Sequence, residues 1–150
     1  MTLKVREVRP QDVTPLVRFY KACHAESEWS WAPFSAAAAR RSIREIMRRP
    51  DYVALIAAED GEITGFLFGM VDAVFYGRTL YATDTEFYAH RGGKELVSEF
   101  RKWAKSKGAA IRLHATANKE RDERRDQAKD RWFIAQGLER VGGMYQERLS

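Results

Sequence analysis

The sequence predicts one α/β domain over residues 1–150, a mixed and mostly antiparallel central sheet flanked by helices. Three observations carry this reading. Strand-like and helix-like periodicities alternate along the chain, an Asp60-Gly61 turn signal separates two apolar runs, and Gly92-Gly93 divides a strand pattern from a helical stripe. A chain of 150 residues, 45% hydrophobic and 31% charged, has the size and balance of a single folded domain.

Each element follows from its local pattern. Leu3 to Val8 sets Leu3 and Val5 against Lys4 and Arg6, the alternation of a first strand. Pro10 and Asp12 open a helix whose apolar face is Val13, Leu16, Val17, Tyr20 and Cys23. Residues 26–34 are irregular and hold Trp29, Trp31 and Phe34. Ser35 is the N-cap of a second helix through Arg49, with Ile43, Ile46 and Met47 inward, and Pro50 ends it. Tyr52 to Ala58 and Ile63 to Val74 read as strands joined by an Asp-Gly hairpin signal, and the second, apolar on both faces, belongs at the centre of the sheet.

Gly77 marks a turn before a long strand, Thr79 to Ala89. The helix after Gly92-Gly93 carries Leu96, Val97, Phe100, Trp103 and Ala104 at helical spacing and stops at Gly108. Ile111 to Ala117 is the next strand. Residues 118–131 are nearly all charged, then come Trp132, Phe133 and Ala135, which predicts a charged helix that packs only its last turns. Leu138 to Val141 and Met144 to Leu149, around Gly142-Gly143, predict a closing hairpin.

Composition narrows the function classes. Lys and Arg number 26 against 21 Asp and Glu, a net charge of +5, which favours anionic partners such as phosphate-bearing cofactors, acidic proteins or nucleic acid. The strongly apolar stretch Phe66 to Val71 ends at Asp72, short of the ~20 residues of a membrane helix. The opening Met1 to Arg6 has no apolar core of a secretion signal. Cys23 is the lone cysteine, so neither an intramolecular disulfide nor a thiolate-rich metal site is expected, and the chain reads as cytoplasmic. His90 and His114 lack zinc-site spacing, so no metal is expected. Arg40, Arg41, Arg44, Arg48 and Arg49 form a basic helix face, which without interleaved aromatics reads as solvated rather than as a nucleic-acid surface.

The strand from Thr79, the loop His90-Arg91-Gly92-Gly93-Lys94 and the following helix form the pattern of an anion cradle. Unpaired N–H groups and the positive end of the helix dipole point at the loop, and glycines let the main chain approach a phosphate closely. Arg91 and Lys94 add positive charge beside it. A plain turn is the alternative reading of two glycines before a helix.

With this loop in place, the order of elements resembles the GNAT superfamily of N-acetyltransferases over nearly the whole chain. The family's pyrophosphate loop, Arg/Gln-x-x-Gly-x-Gly/Ala, is matched in place by Arg91 to Leu96, although its two later positions are Lys94 and Leu96 here. Asn118, and Phe133-x-x-x-Gly137-Leu138-Glu139, resemble the family's later acyl-cofactor segment, with Phe133 where the family usually has tyrosine. Val141-Gly142-Gly143-Met144-Tyr145-x-x-x-Leu149 resembles its closing strand pair. The double-glycine loop is similar to that of the short type encoded by bacteriophages.

The resemblance implies acetyl-CoA as co-substrate, bound by His90, Arg91, Gly92, Gly93, Lys94, Asn118 and Phe133, and direct attack by an amine in a ternary complex. A carboxylate on the strand after Thr79 would take the ammonium proton. Two-residue alternation puts Asp84, Glu86 and Tyr88 on one face, with Glu86 near the family's base position, while a solvated sheet face is the alternative for both carboxylates. For the leaving thiolate, Tyr145 and Tyr88 are the candidate acids in place of the missing tyrosine, and a solvent proton is the alternative. Trp29, Trp31 and Phe34 are the candidate wall of the acceptor groove, or else a cover for the sheet. The acceptor is an amine, on a protein or a small molecule, and a homodimer is left open. The competing reading is a catalytically weak protein of this fold that docks to a partner such as a host protein.

Overall fold

The computed structural model describes residues 2–116 and 123–149. Five strands form one sheet in the order β1-β2-β3-β4-β5: β1 (Leu3–Glu7), β2 (Tyr52–Glu59), β3 (Glu62–Ala73), β4 (Leu80–Ala89) and β5 (Ile111–Leu113). The first three pairings are antiparallel and β4–β5 is parallel. The helices are α1 (Val13–Ala25), preceded by a 3₁₀ turn at Pro10–Asp12, then α2 (Ala36–Arg48), α3 (Gly93–Ser106) and α4 (Glu123–Ala135).

β3 is central and buries both faces. Phe66 and Phe68 point to the side of α1 and α2, where they meet Leu16, Val17, Ile43 and Ile56. Leu67, between them, points to the α3 side with Leu55, Ala57, Leu96, Val97 and Phe100. A period of two thus feeds two cores from one strand. Asp60 and Gly61 both take positive φ, 52° and 83°, the backbone that a tight hairpin between β2 and β3 needs. The Ser35 hydroxyl accepts from the Ala38 N–H at 3.1 Å and caps α2.

Two expectations are corrected. β5 stops at Leu113, so its three residues give little edge on which further strands could pair. Residues 138–149 then form no strand pair: Val141, Met144, Tyr145 and Leu149 are exposed. Gly142 and Gly143 raise the entropy lost on ordering this segment, and its apolar residues do not hold to one alternating face.

One irregularity positions the site. In the β3–β4 ladder Phe68 pairs with Glu86 but Gly69 pairs with Asp84, which leaves Thr85 as the extra residue of a β-bulge. On its other side β4 pairs with β5 only from Tyr81 to Thr83. From Asp84 onward this edge of β4 pairs with no strand among the described residues.

Candidate active site

The bulge overturns the shared face expected for Asp84, Glu86 and Tyr88. One extra residue reverses the side-chain alternation, so Asp84 and Glu86 leave the sheet on opposite faces. Asp84 turns to the α3 side, where its Oδ2 lies 3.0 Å from the Nδ1 of His114. The two side chains are 5% and 1% exposed, and the Ala115 N–H points at the other carboxylate oxygen from 3.4 Å. Asp84 is therefore committed to a neighbour 30 residues away in the chain.

Glu86 lies on the α1 side, half-buried beside Tyr20 and Tyr88. Burial raises its pKa above the ordinary carboxylate value, the Tyr20 hydroxyl turned toward it opposes the shift, and the charges of Glu28 and Asp84 add to it. Tyr20 was legible in the sequence only as a core residue of α1. Its ring is the hub of an aromatic cluster, with centroids 5.3 Å from Phe34, 4.9 Å from Phe66 and 6.1 Å from Tyr88. No local signal ties it to Glu86, 66 residues away in the chain; the sheet brings the two together.

At the other end of β4, α3 begins at Gly93 with Gly92 as its N-cap at φ +82° and no side-chain cap. The first intrahelical bond runs from the Leu96 N–H to the Gly92 carbonyl at 2.9 Å, so the N–H groups of Gly93, Lys94 and Glu95 precede the helix ladder and face outward from its positive end. A side chain at Gly92 is excluded, since its Cβ would lie 2.6 Å from the Ala57 Cβ. Gly93 is roomier, with Trp132 Cζ2 and Phe87 Cζ about 3.5 Å from where its Cβ would start.

The charged side chains of this loop are placed differently from expectation. The Arg91 guanidinium is paired with the Glu59 carboxylate at the end of β2 and is not the free charge the sequence suggested. His90 leans toward α1, with its ring 5.4 Å from Phe19 and its Nε2 3.8 Å from Glu26. Lys94 and Glu95 are exposed in the first turn of α3. The backbone amides that open α3 thus stand beside an Arg91–Glu59 ion pair.

Phe133 of α4 is half-buried, its ring 5.4 Å from His114 and 4.9 Å from Trp132. Asn118 lies outside the described residues. Trp29 and Trp31 are each 45% exposed, 6.1 Å apart, and Arg148 stacks over Trp31 at 4.7 Å. Phe34 is separate from them, packed on Tyr20 and on His24. Tyr145 is fully exposed and lies outside any helix or strand. Burial, with Glu26 adding, pushes the Cys23 thiol up to about 11, so it is no nucleophile at neutral pH. No group of three or more metal-ligating side chains occurs among the described residues, and no helix there is long and apolar enough to cross a membrane.

No family model and no curated protein matches the sequence. Solved structures do match, end to end. The chain is similar to a transcriptional regulator from Bacillus halodurans C-125, at TM-score 0.76 and 19% identity over 99% of this chain and 100% of that one. It is similar to AAC(6')-Iy in complex with the bisubstrate analogue CoA-S-monomethyl-acetylneamine, at TM-score 0.73 and 18% identity over 99% of each chain. A GNAT family acetyltransferase of Staphylococcus aureus aligns at TM-score 0.68 and 14% identity over 99% of this chain and 100% of that one. At such identities the likeness is one of architecture, and the architecture this chain has is that of the GNAT acetyltransferases.

Proposed function

We propose that the chain is an N-acetyltransferase that carries acetyl from acetyl-CoA to an amine. The observation that carries the reading is the geometry of β4. Its end feeds an uncapped helix start open to a diphosphate, and its bulge sets the half-buried Glu86 on the stretch of β4 that β5 does not pair. A carboxylate with a raised pKa is suited to take a proton from an ammonium ion, because its basicity lies closer to working pH. Past Thr83 the free edge of β4 offers backbone N–H groups for the oxygen of a thioester carbonyl.

The residues fit such a co-substrate through the main chain. Gly93, Lys94 and Glu95 would hold the diphosphate by their amides, with Lys94 as the nearby cation, while Trp132, Phe133 and Phe87 line the α3–α4 side. A solved structure of similar fold holds a CoA conjugate, which supports the choice of co-substrate. The acceptor would meet Glu86, and the exposed rings of Trp29 and Trp31 would suit the apolar part of an amine.

A thermal-shift titration tests the reading. Saturating acetyl-CoA at 100 times its Kd adds about 2.7 kcal/mol to native stability, which moves the melting temperature of a chain this size by roughly 5–10 °C. No shift removes the acetyltransferase reading, and favours the fold acting by docking to a partner protein.

A further inference from the structure

We propose that the buried Asp84–His114 pair, standing where β4 and β5 stop pairing, is the group that meets the departing sulfur in acetyl transfer. The assignment rests on the acetyltransferase reading above and adds to it a residue that no part of that reading uses. Four observations carry it. His114 is 1% exposed, and its Nδ1 is held by Asp84 at 3.0 Å. Its Nε2 is buried with no hydrogen-bond partner among the described residues. Buried polar atoms are nearly always paired, so an orphaned one marks a place where a bound molecule completes the set. The ring stands where β4 and β5 stop pairing, one residue beyond Thr83–Leu113.

The surroundings suit an ion pair with a sulfur anion. Phe87 of β4, Phe100 of α3 and Phe133 of α4 enclose the ring, at centroid distances of 6.4, 5.4 and 5.4 Å. These walls exclude water and carry no charge. Asp84 is the carboxylate facing the imidazole. The neighbouring guanidinium of Arg112 turns away to the carbonyls of Val97 and Gln136, at 3.2 and 2.9 Å. Phe133 supplies no hydroxyl, and the imidazole beside it supplies a proton instead. Asp84 fixes the ring with Nδ1–H toward its carboxylate, which leaves Nε2 as the ring nitrogen that meets the sulfur.

The step balances as follows. Glu86 takes the ammonium proton, and the nitrogen lone pair forms the C–N bond while the carbonyl π pair moves onto oxygen. That pair re-forms the carbonyl, the C–S bond breaks, and its electrons leave on sulfur. The Nε2 proton of the His114 imidazolium passes to that sulfur, leaving neutral imidazole bonded to Asp84. The surplus proton on nitrogen returns to the imidazole once the thiol has formed, and Glu86 releases its proton to water. The products are an amide, a free thiol and one proton.

The test uses the wild-type protein with ¹⁵N-labelled histidine, CoA, and desulfo-CoA as the probe lacking sulfur. Only three histidines contribute signals. The expected result is that both compounds raise the melting temperature, while CoA alone shifts the His114 ¹⁵Nε2 resonance. A raised melting temperature with an unmoved His114 signal overturns this proposal and leaves the acetyltransferase reading standing. No rise with either compound overturns both. As a second readout, ultraviolet titration of bound CoA in His114→Gln and Asp84→Asn should show the thiol ionising at a pH about one unit higher than in wild type, tenfold less thiolate at a given pH. Identical titration in a folded variant and wild type refutes the role.

Discussion

Replacing Gly92 by alanine should unfold the cradle's entrance before it affects anything else. Gly92 sits at φ +82°, a conformation that costs an L-residue roughly 1–2 kcal/mol. Its new Cβ would start 2.6 Å from the Ala57 Cβ and 3.3 Å from both methyl carbons of Leu3, against the ~3.5–4.0 Å of a normal carbon contact. Ala57 is wholly buried in β2, and an alanine methyl has no rotamer into which to retreat. The sheet or the loop must therefore move, at about 1–3 kcal/mol for overpacking. Together these give a loss of about 2–5 kcal/mol, or roughly 4–20 °C in melting temperature for a chain of this length. Gly93→Ala is the control, because its nearest neighbours lie at 3.5 Å and the position is helical. It should melt within about 3 °C of wild type, so any loss of acetyl-CoA response in it reports on the cradle and not on folding. The assay is thermal denaturation of the three proteins followed by circular dichroism. A Gly92→Ala protein melting within about 2 °C of wild type refutes both the left-handed turn and its contact with β2.

Asp12 and Glu86 give opposite pH signatures. Asp12 accepts from both Arg6 Nη atoms at 2.5 and 2.9 Å and from the Arg9 N–H at 2.8 Å, and its Arg6 bond holds the carboxyl below the ordinary range against the opposing cost of burial. A lowered native pKa gives stability that is present above the unfolded value and lost as pH falls through the native one. Asp12→Asn should cost about 1–3 kcal/mol at pH 7, discounted for the third of Arg6 left exposed, and much less near pH 3; equal losses in urea denaturation at both would contradict this. Glu86 has a raised pKa, chiefly from burial, so its contribution is intact below the unfolded value and lost as pH rises through the native one. Glu86→Gln should accordingly melt higher than wild type at pH 8 and alike near pH 4, while acetyl transfer falls and acetyl-CoA affinity holds. Unchanged transfer at pH 8 would remove Glu86 as base.

What the sequence determined on its own is whatever a few neighbouring residues decide. The Asp60-Gly61 hairpin, the Ser35 cap, the stripe of α3 and the two-faced apolar run of β3 all follow from local backbone preference and periodicity, and all are in the fold. The loop at Gly92-Gly93 and the carboxylate at Glu86 were legible for the same reason, one from glycine before a helix and the other from its place on a strand. Tertiary structure decided which partner each charge takes. Arg91 reads as a free cation until β2 delivers Glu59 to it, and Asp84 reads as a neighbour of Glu86 until Thr85 bulges and sends it to His114, 30 residues away. The closing hairpin failed on the same ground, since pairing needs an edge and β5 is three residues long. A bulge adds one residue and reverses every side chain beyond it, yet it leaves no mark in the local pattern. Its place is set by the register of β4 against β3, which is fixed only when the sheet is assembled.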